Sequence, residues 1–124
     1  MNYEKLVRKV QTAGTWFTGV FLREILRNYP VIVNDKKKRK EFIDYFHNEY
    51  CVNCEYEYST TQTKCYAVIE IIKRGKVLDA LEYILTANDK KVPAEAWEAA
   101  NSLLDDIVKN IIVLPDAIPE TEDE

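Results

Sequence analysis

The feature that most restricts the fold is a helical pattern of apolar residues over residues 16–29. The apolar side chains recur at intervals of three and four residues, and polar or small side chains fill the positions between them. This spacing predicts an amphipathic helix with a wide buried face. Pro30 follows the pattern, and we expect it to end the helix because proline lacks the backbone N–H of a helix interior.

Other stretches show the same periodicity, and their ends carry residues that start or stop helices. Gly14 separates the first two predicted helices, Asp35 is placed to cap the third, and Gly75 follows the fourth. Pro93 occupies an early helical position before the last. The helices predicted besides 16–29 cover residues 3–10, 41–50, 63–74, 77–85 and a final stretch after Pro93.

The final predicted helix has enough apolar residues to form one continuous buried face. Apolar residues at helical spacing are expected to face the core. The residues expected to be buried are Trp97, Ala100, Leu104, Ile107, Val108 and Ile111.

One stretch has the two-residue period of a strand. In residues 55–60, Tyr56, Tyr58 and Thr60 alternate with polar residues, which predicts an edge strand or half of a hairpin. The predicted fold class is therefore mostly α (α+β), a compact helical domain over residues 1–114 with one short β element. Residues 115–124 carry five acids and no base, and we expect this acidic tail to be disordered.

The composition fits one ordinary globular domain. The 124 residues are 47% hydrophobic and 31% charged, which is enough apolar content to bury a core without disulfides. We expect no membrane association, because no apolar run approaches the ~18 residues of a membrane span. We also expect no signal peptide, because the first residues run directly into mixed polar sequence. The predicted location is the cytoplasm.

All three cysteines and the single histidine lie close together in the sequence. His47, Cys51, Cys54 and Cys65 follow the pattern H-x3-C-x2-C-x10-C. Their soft and borderline donor atoms suit tetrahedral Zn²⁺. Four protein ligands leave no position for a reactive water, so the spacing predicts a structural zinc site within residues 47–65.

Other interpretations of this cluster stay open at this stage. Glu49 or Glu55 could replace His47 as the fourth ligand. The cysteines could instead be three buried core thiols, since free cysteine is among the most buried residue types. A Cys51–Cys54 disulfide or redox pair is a further interpretation, although no βαβ pattern surrounds it.

Charge is distributed unevenly along the chain. Residues 1–48 carry ten Lys and Arg against five Asp and Glu, whereas residues 49–124 carry seven against sixteen. Five consecutive cations lie near the start of the third predicted helix, and tyrosines follow them. Tyrosine is favoured at protein interfaces, and the neighbouring glutamates would repel phosphate, so we expect a protein partner rather than nucleic acid. The candidate partner-binding residues are Lys36, Lys37, Lys38, Arg39, Lys40, Tyr56 and Tyr58.

The sequence does not predict an enzyme. The only histidine is already assigned to the metal site. The chain has no G-x-S-x-G motif, no glycine-rich phosphate loop and no H-E-x-x-H motif. No set of base, nucleophile and orienting group can therefore be assembled from it.

In overall character the chain resembles the anti-CRISPR proteins, small phage-encoded inhibitors of CRISPR nucleases. The chain is short, acidic, rich in Tyr and Glu and free of catalytic motifs. Some type II inhibitors carry a bound metal, and the candidate metal ligands His47, Cys51, Cys54 and Cys65 make the chain similar to them in this respect. The resemblance implies a phage protein in a bacterial host cell. It implies that an acidic or tyrosine-rich face docks on a basic region of a Cas9-type nuclease and hinders nucleic-acid loading or rearrangement. The alternative is a small zinc-stabilised nucleic-acid-binding protein that uses residues 36–40.

Overall fold

The structure is a computed structural model that describes residues 1–87 and 91–120. The part of the chain that it describes is helical and contains no strand. The helices are α1 Tyr3–Ala13, α2 Thr15–Ile32, α3 Lys36–Phe46, α4 Tyr58–Lys73, α5 Val77–Thr86 and α6 Ala94–Val108; a π-helix His47–Cys51 and a 3₁₀ helix Val52–Cys54 join α3 to α4.

α2 lies at the centre of the bundle and contacts each of the other five α-helices. Its apolar face is buried as the periodicity predicted, with Phe17, Leu22 and Ile25 fully shielded from solvent. The prediction that the helix ends before Pro30 is wrong, because α2 continues three residues beyond Tyr29 to Ile32. The Val33 N–H donates to the Tyr29 carbonyl at 3.0 Å, and this helical hydrogen bond continues α2 past Pro30.

Aromatic rings fill the centre of the core. Phe46 on α3 lies with its ring centroid 4.9 Å from Phe21 and 5.8 Å from Phe17, both on α2. These edge-to-face pairs are favourable because the positive edge of one ring meets the negative face of the next. A smaller cluster of Leu6, Val10, Ile71 and Ala80 joins α1 to α4 and α5.

The contact between α2 and α6 is very close. A Cβ added to Gly19 would lie 2.7 Å from the carbonyl oxygen of Ala96 and 2.9 Å from its Cβ. Only glycine on α2 and a small residue on α6 allow the two backbones to approach this far. α6 therefore turns Ala96 toward Gly19, and in this orientation it buries Ala96, Ala100 and Leu103.

The predicted buried face of the last helix is therefore wrong at several positions. Ala100 is buried as expected. Trp97, Val108 and Ile111 are 41%, 71% and 67% exposed. The helix orientation that places Ala96 against Gly19 turns Trp97 and Val108 away from the contact, whereas Leu104 and Ile107 are partly buried against the core.

The predicted strand over residues 55–60 is also wrong. Glu55 has a left-handed backbone with φ 61° and ends the 3₁₀ helix. Tyr58 begins α4, and both Thr60 and Thr61 donate their N–H groups to the Glu57 carbonyl. The tyrosine and glutamate alternation thus spans a turn and the first turn of a helix, and the fold class is mostly α without the β element in the described residues.

Residues 109–120 follow α6 back across the bundle. Asn110 has φ 59°, and Ile118 N–H donates to the Lys73 carbonyl at the end of α4 at 2.8 Å. The disorder predicted for residues 115–124 stays a prediction, and residues 121–124 lie outside the described residues. Across the described ranges, no helix combines the length and apolar character needed to cross a membrane.

Candidate functional site

The π-helix His47–Cys51 places the histidine and the first cysteine of the predicted zinc site. π-helical turns inside α-helices occur frequently at functional sites. The His47 Nδ1 atom lies 2.7 Å from the Thr61 hydroxyl oxygen on α4, so this ring atom is engaged in a hydrogen bond. Thr61 is fully buried, which makes this bond a link between the π-helix and the core.

The structure does not assemble the predicted ligands into a metal site. All three cysteines are free thiols, and Cys54 Sγ lies 3.5 Å from the Tyr50 carbonyl oxygen. Among residues 1–87 and 91–120, no group of three or more His, Cys, Asp or Glu side chains is placed to hold a metal ion. This finding includes Glu49 and Glu55, the alternative fourth ligands. The structure therefore gives the zinc prediction no support.

Burial makes two of the thiols, Cys51 and Cys65, less reactive because it disfavours the thiolate form. It raises the pKa of the Cys65 thiol to about 12, and it raises the pKa of Cys51 against the opposing effect of a hydrogen bond from Thr61. The thiolate is the form that attacks electrophiles and binds metals. Cys51 and Cys65 are thus placed as core thiols.

Tyr58 is anchored by a neighbouring carboxylate. Its hydroxyl donates to Asp44 Oδ1 at 2.5 Å, and its ring centroid lies 5.5 Å from that of His47. The hydrogen bond raises the Tyr58 pKa to about 12 and lowers the Asp44 pKa. This contact ties the start of α4 to α3 and leaves Tyr58 partly exposed.

Tyr56 lies mainly against the protein itself. Its ring centroid is 6.5 Å from Phe17, and the Lys64 Nζ atom lies 5.3 Å from the centre of the Tyr56 ring. Lys64 also donates to the Ala13 carbonyl at 2.7 Å. The structure thus gives Tyr56, which the sequence suggested as a partner-binding residue, a packing role.

The five cations of residues 36–40 do not form one free surface. Arg39 donates to the Ile32 and Val33 carbonyls at 3.0 and 3.1 Å and so caps the end of α2. Lys40 pairs with Asp44 at 3.0 Å. Lys36, Lys37 and Lys38 are exposed, and within the described residues they form no ion pair.

The sequence analysis missed an apolar surface on the last helix, which we name the α6 face and define as the exposed residues Trp97 and Val108 with the partly buried Leu104. These residues lie at positions i, i+7 and i+11 of one helix and so share one side of it. They line a shallow groove of about 390 Å³ together with Glu98 and Asp105. The signal for it in the sequence was Gly19, whose small size allows Ala96 of α6 to pack against α2.

Two further exposed residues, Ile111 and Val113, lie beyond the end of the helix, and we include them in the α6 face. Ile111 is 67% and Val113 is 81% exposed, and both line a second groove with Arg23 and Arg27 of α2. Single exposed apolar residues are common, but a run of them around grooves is typical of an interaction surface.

Comparisons of the chain with protein-family models, with curated protein sequences and with solved structures found no match. The interpretation of the α6 face therefore depends on its own geometry and charge.

Proposed function

We propose that the protein is a non-catalytic binding protein that docks on another protein through the α6 face. The observation that carries the proposal is the exposure of Trp97, Val108 and Ile111, which are 41%, 71% and 67% accessible to solvent. Covering apolar surface gains about 25 cal/mol per Å², so these side chains favour association. Tryptophan is moreover among the residues that contribute most at interfaces.

The charge of α6 indicates what kind of surface it fits. The helix carries Glu95, Glu98, Asp105 and Asp106 and has no Lys or Arg. Asp105 pairs with Lys109 and Asp106 with Arg23, whereas Glu98 is exposed at the edge of the groove. Complementary charges steer encounter and suppress wrong partners. A partner with an apolar patch bordered by cations is therefore the best fit.

We propose a Cas9-type nuclease as this partner, in keeping with the resemblance to anti-CRISPR proteins. Such nucleases hold the guide–target duplex in a positively charged channel. An acidic helix with an apolar stripe fits the edge of such a channel and would hinder nucleic-acid loading.

Binding of purified protein to a purified Cas9-type nuclease, measured by biolayer interferometry, tests the proposal. Val108→Asn and Ile111→Asn should each weaken binding by about tenfold, because each removes an apolar contact at the interface. Val31→Asn is the matched control, since Val31 is 58% exposed on α2 and lies outside the α6 face. Each variant is checked for its circular dichroism spectrum.

Charge reversal provides a second comparison in the same assay. Glu98→Lys should weaken binding, whereas Glu41→Lys on α3 should not, because Glu41 is exposed away from α6. In a DNA-cleavage assay, excess wild-type protein should slow the nuclease. Failure to bind the nuclease, or equal binding by the α6 variants and their controls, would contradict the proposal.

A second candidate function is nucleic-acid binding through α3. Lys36, Lys37 and Lys38 are exposed and, in the described ranges, have no ion-pair partner. This function requires binding to random single-stranded oligonucleotides that weakens steeply with salt and is lost when the three lysines are replaced by Glu. Sub-micromolar binding of this kind at physiological salt would favour the second candidate over the first.

A further inference from the structure

A cleft of about 530 Å³ lies between α1 and the end of α4. This volume is in the range of ordinary ligand sites. Its walls carry more positive than negative groups, because four basic side chains and the Met1 amino group face two carboxylates. The lining residues are Met1, Lys5, Arg8, Lys9, Thr12, Glu70, Arg74 and Glu120.

The cations of this cleft are not all neutralised. Arg8 pairs with Glu4 at 3.0 Å, and Arg74 pairs with Glu70 at 2.9 Å. Lys5 and Lys9 form no ion pair with any residue in the described part of the chain. The cleft therefore keeps positive charge available for an anionic group.

A segment near the end of the described chain lies beside this cleft, and its Glu120 is one of the lining residues. Ile118 N–H donates to the Lys73 carbonyl at 2.8 Å, and Arg74 Nη1 donates to the Ile118 carbonyl at 2.7 Å. The Glu120 carboxylate pairs with the Met1 amino group, which lowers the Glu120 pKa. Two of these contacts hold the peptide backbone, and the third recognises a carboxylate.

Gly75 provides an independent sign that this segment fits closely against the end of α4, next to the cleft. Its φ is +70°, and a Cβ added to it would lie 2.7 Å from the Cβ of Ala117. The left-handed turn after α4 explains the glycine only in part. The close passage of Ala117 needs the missing Cβ as well.

We propose that this cleft and the adjoining end of α4 form a binding site for an acidic peptide segment, and that residues 117–120 already occupy part of this site. The backbone contacts of Ile118 suit any extended peptide, and Lys5 and Lys9 select carboxylates. An attached occupant acts at a high effective concentration, so it competes with any peptide added from outside. This proposal concerns a different surface from the α6 face and does not depend on it.

The test uses the full chain and a fluorescent peptide with the sequence of residues 115–124. In a released variant, Ile118→Pro removes the N–H that donates to Lys73, and Glu120→Lys replaces the carboxylate that pairs with Met1. By fluorescence anisotropy, this variant should bind the peptide about tenfold more tightly than the wild-type chain, because the internal competitor is weakened.

Further variants of the released chain locate the site. Lys5→Glu with Lys9→Glu should reduce peptide binding by about tenfold, since it replaces the two unpaired cations. Lys36→Glu with Lys37→Glu makes the same charge change outside the cleft and should leave binding within about twofold. Amide chemical shifts of the released chain on peptide addition should change at Lys5, Lys9 and Gly75, which tests the site without altering it.

Three results would overturn the proposal. The wild-type and released chains could bind the peptide equally. The two double-lysine variants could lose binding equally. A single-stranded oligonucleotide of the same charge could bind the cleft more tightly than the peptide, which would assign it to phosphates.

Discussion

The orientation of α6 can be tested by a pair of alanine substitutions. Leu103 is 1% exposed and belongs to the main core cluster, whereas Val108 is 71% exposed on the α6 face. Leu103→Ala removes buried methyl groups and leaves a cavity, which costs about 2–5 kcal/mol, and we take about 3 kcal/mol for this site. Val108→Ala removes no buried contact and should change the free energy of unfolding by less than about 0.5 kcal/mol.

Urea denaturation followed by circular dichroism measures both free energies, and a thermal melt provides a second reading. At about 4 °C per kcal/mol for a domain of this size, Leu103→Ala should lower the melting temperature by about 12 °C. Val108→Ala should leave it nearly unchanged, with a small gain since alanine is the better helix former. The orientation predicted from periodicity alone, with Val108 buried, requires the opposite order. A larger loss for Val108→Ala than for Leu103→Ala would refute the argument from Gly19.

Three further predictions concern the turn after α4, a tyrosine and the thiols. Gly75→Ala should destabilise the fold by about 1–2 kcal/mol because of its left-handed backbone, and Ala117→Gly should restore part of the loss in a urea double-mutant cycle. Tyr58 has a folded pKa of about 12 against 10.0, so its hydrogen bond contributes stability below about pH 10 that is lost as pH rises to about 12. The stability difference between wild type and Tyr58→Phe should shrink over that interval, and a constant difference would contradict the assignment. In a thiol-reagent assay Cys54 should react in the native protein, whereas the two buried cysteines should react only on unfolding. Stoichiometric zinc by elemental analysis, with all three thiols protected until chelation, would restore the metal site that the sequence predicted.

Local sequence signals were sufficient to predict most of the helices. Gly14 separates α1 from α2, and the Asp35 side chain accepts a hydrogen bond from Lys38 N–H at 3.1 Å as an N-cap. Gly75 follows α4 with positive φ. These features depend on a few neighbouring residues, so the sequence carries them directly.

Tertiary contacts determined the orientation of α6 and the positions of Tyr56 and Tyr58, which the sequence pattern did not predict. The inward face of α6 is set by its contact with Gly19, which lies far away in the sequence. Tyr56 and Tyr58 share a strand-like period, yet Tyr56 packs near Phe17 and Tyr58 bonds to Asp44. A period of two residues cannot distinguish that arrangement from a strand.

The predicted metal site has no support in the described residues, and tertiary contacts again account for this. Spacing placed four ligand types close together in sequence, but it could not show that Thr61 would engage His47. Nor could it show that Cys65 would be fully buried on α4. Spacing also could not show that fewer than five cations of residues 36–40 would be available to a partner. Arg39 caps the end of α2 through its bond to the Ile32 carbonyl.

Hydroxyl-radical footprinting of the α6 face, in the free protein and in its complex with a Cas9-type nuclease, tests the central claim most directly. Trp97 and Ile111 are exposed in the free chain and should be oxidised there, and the complex should protect both. Tyr3, which is 65% exposed on α1, should be oxidised equally in both states. Unchanged oxidation of Trp97 and Ile111 in the complex would contradict docking through α6.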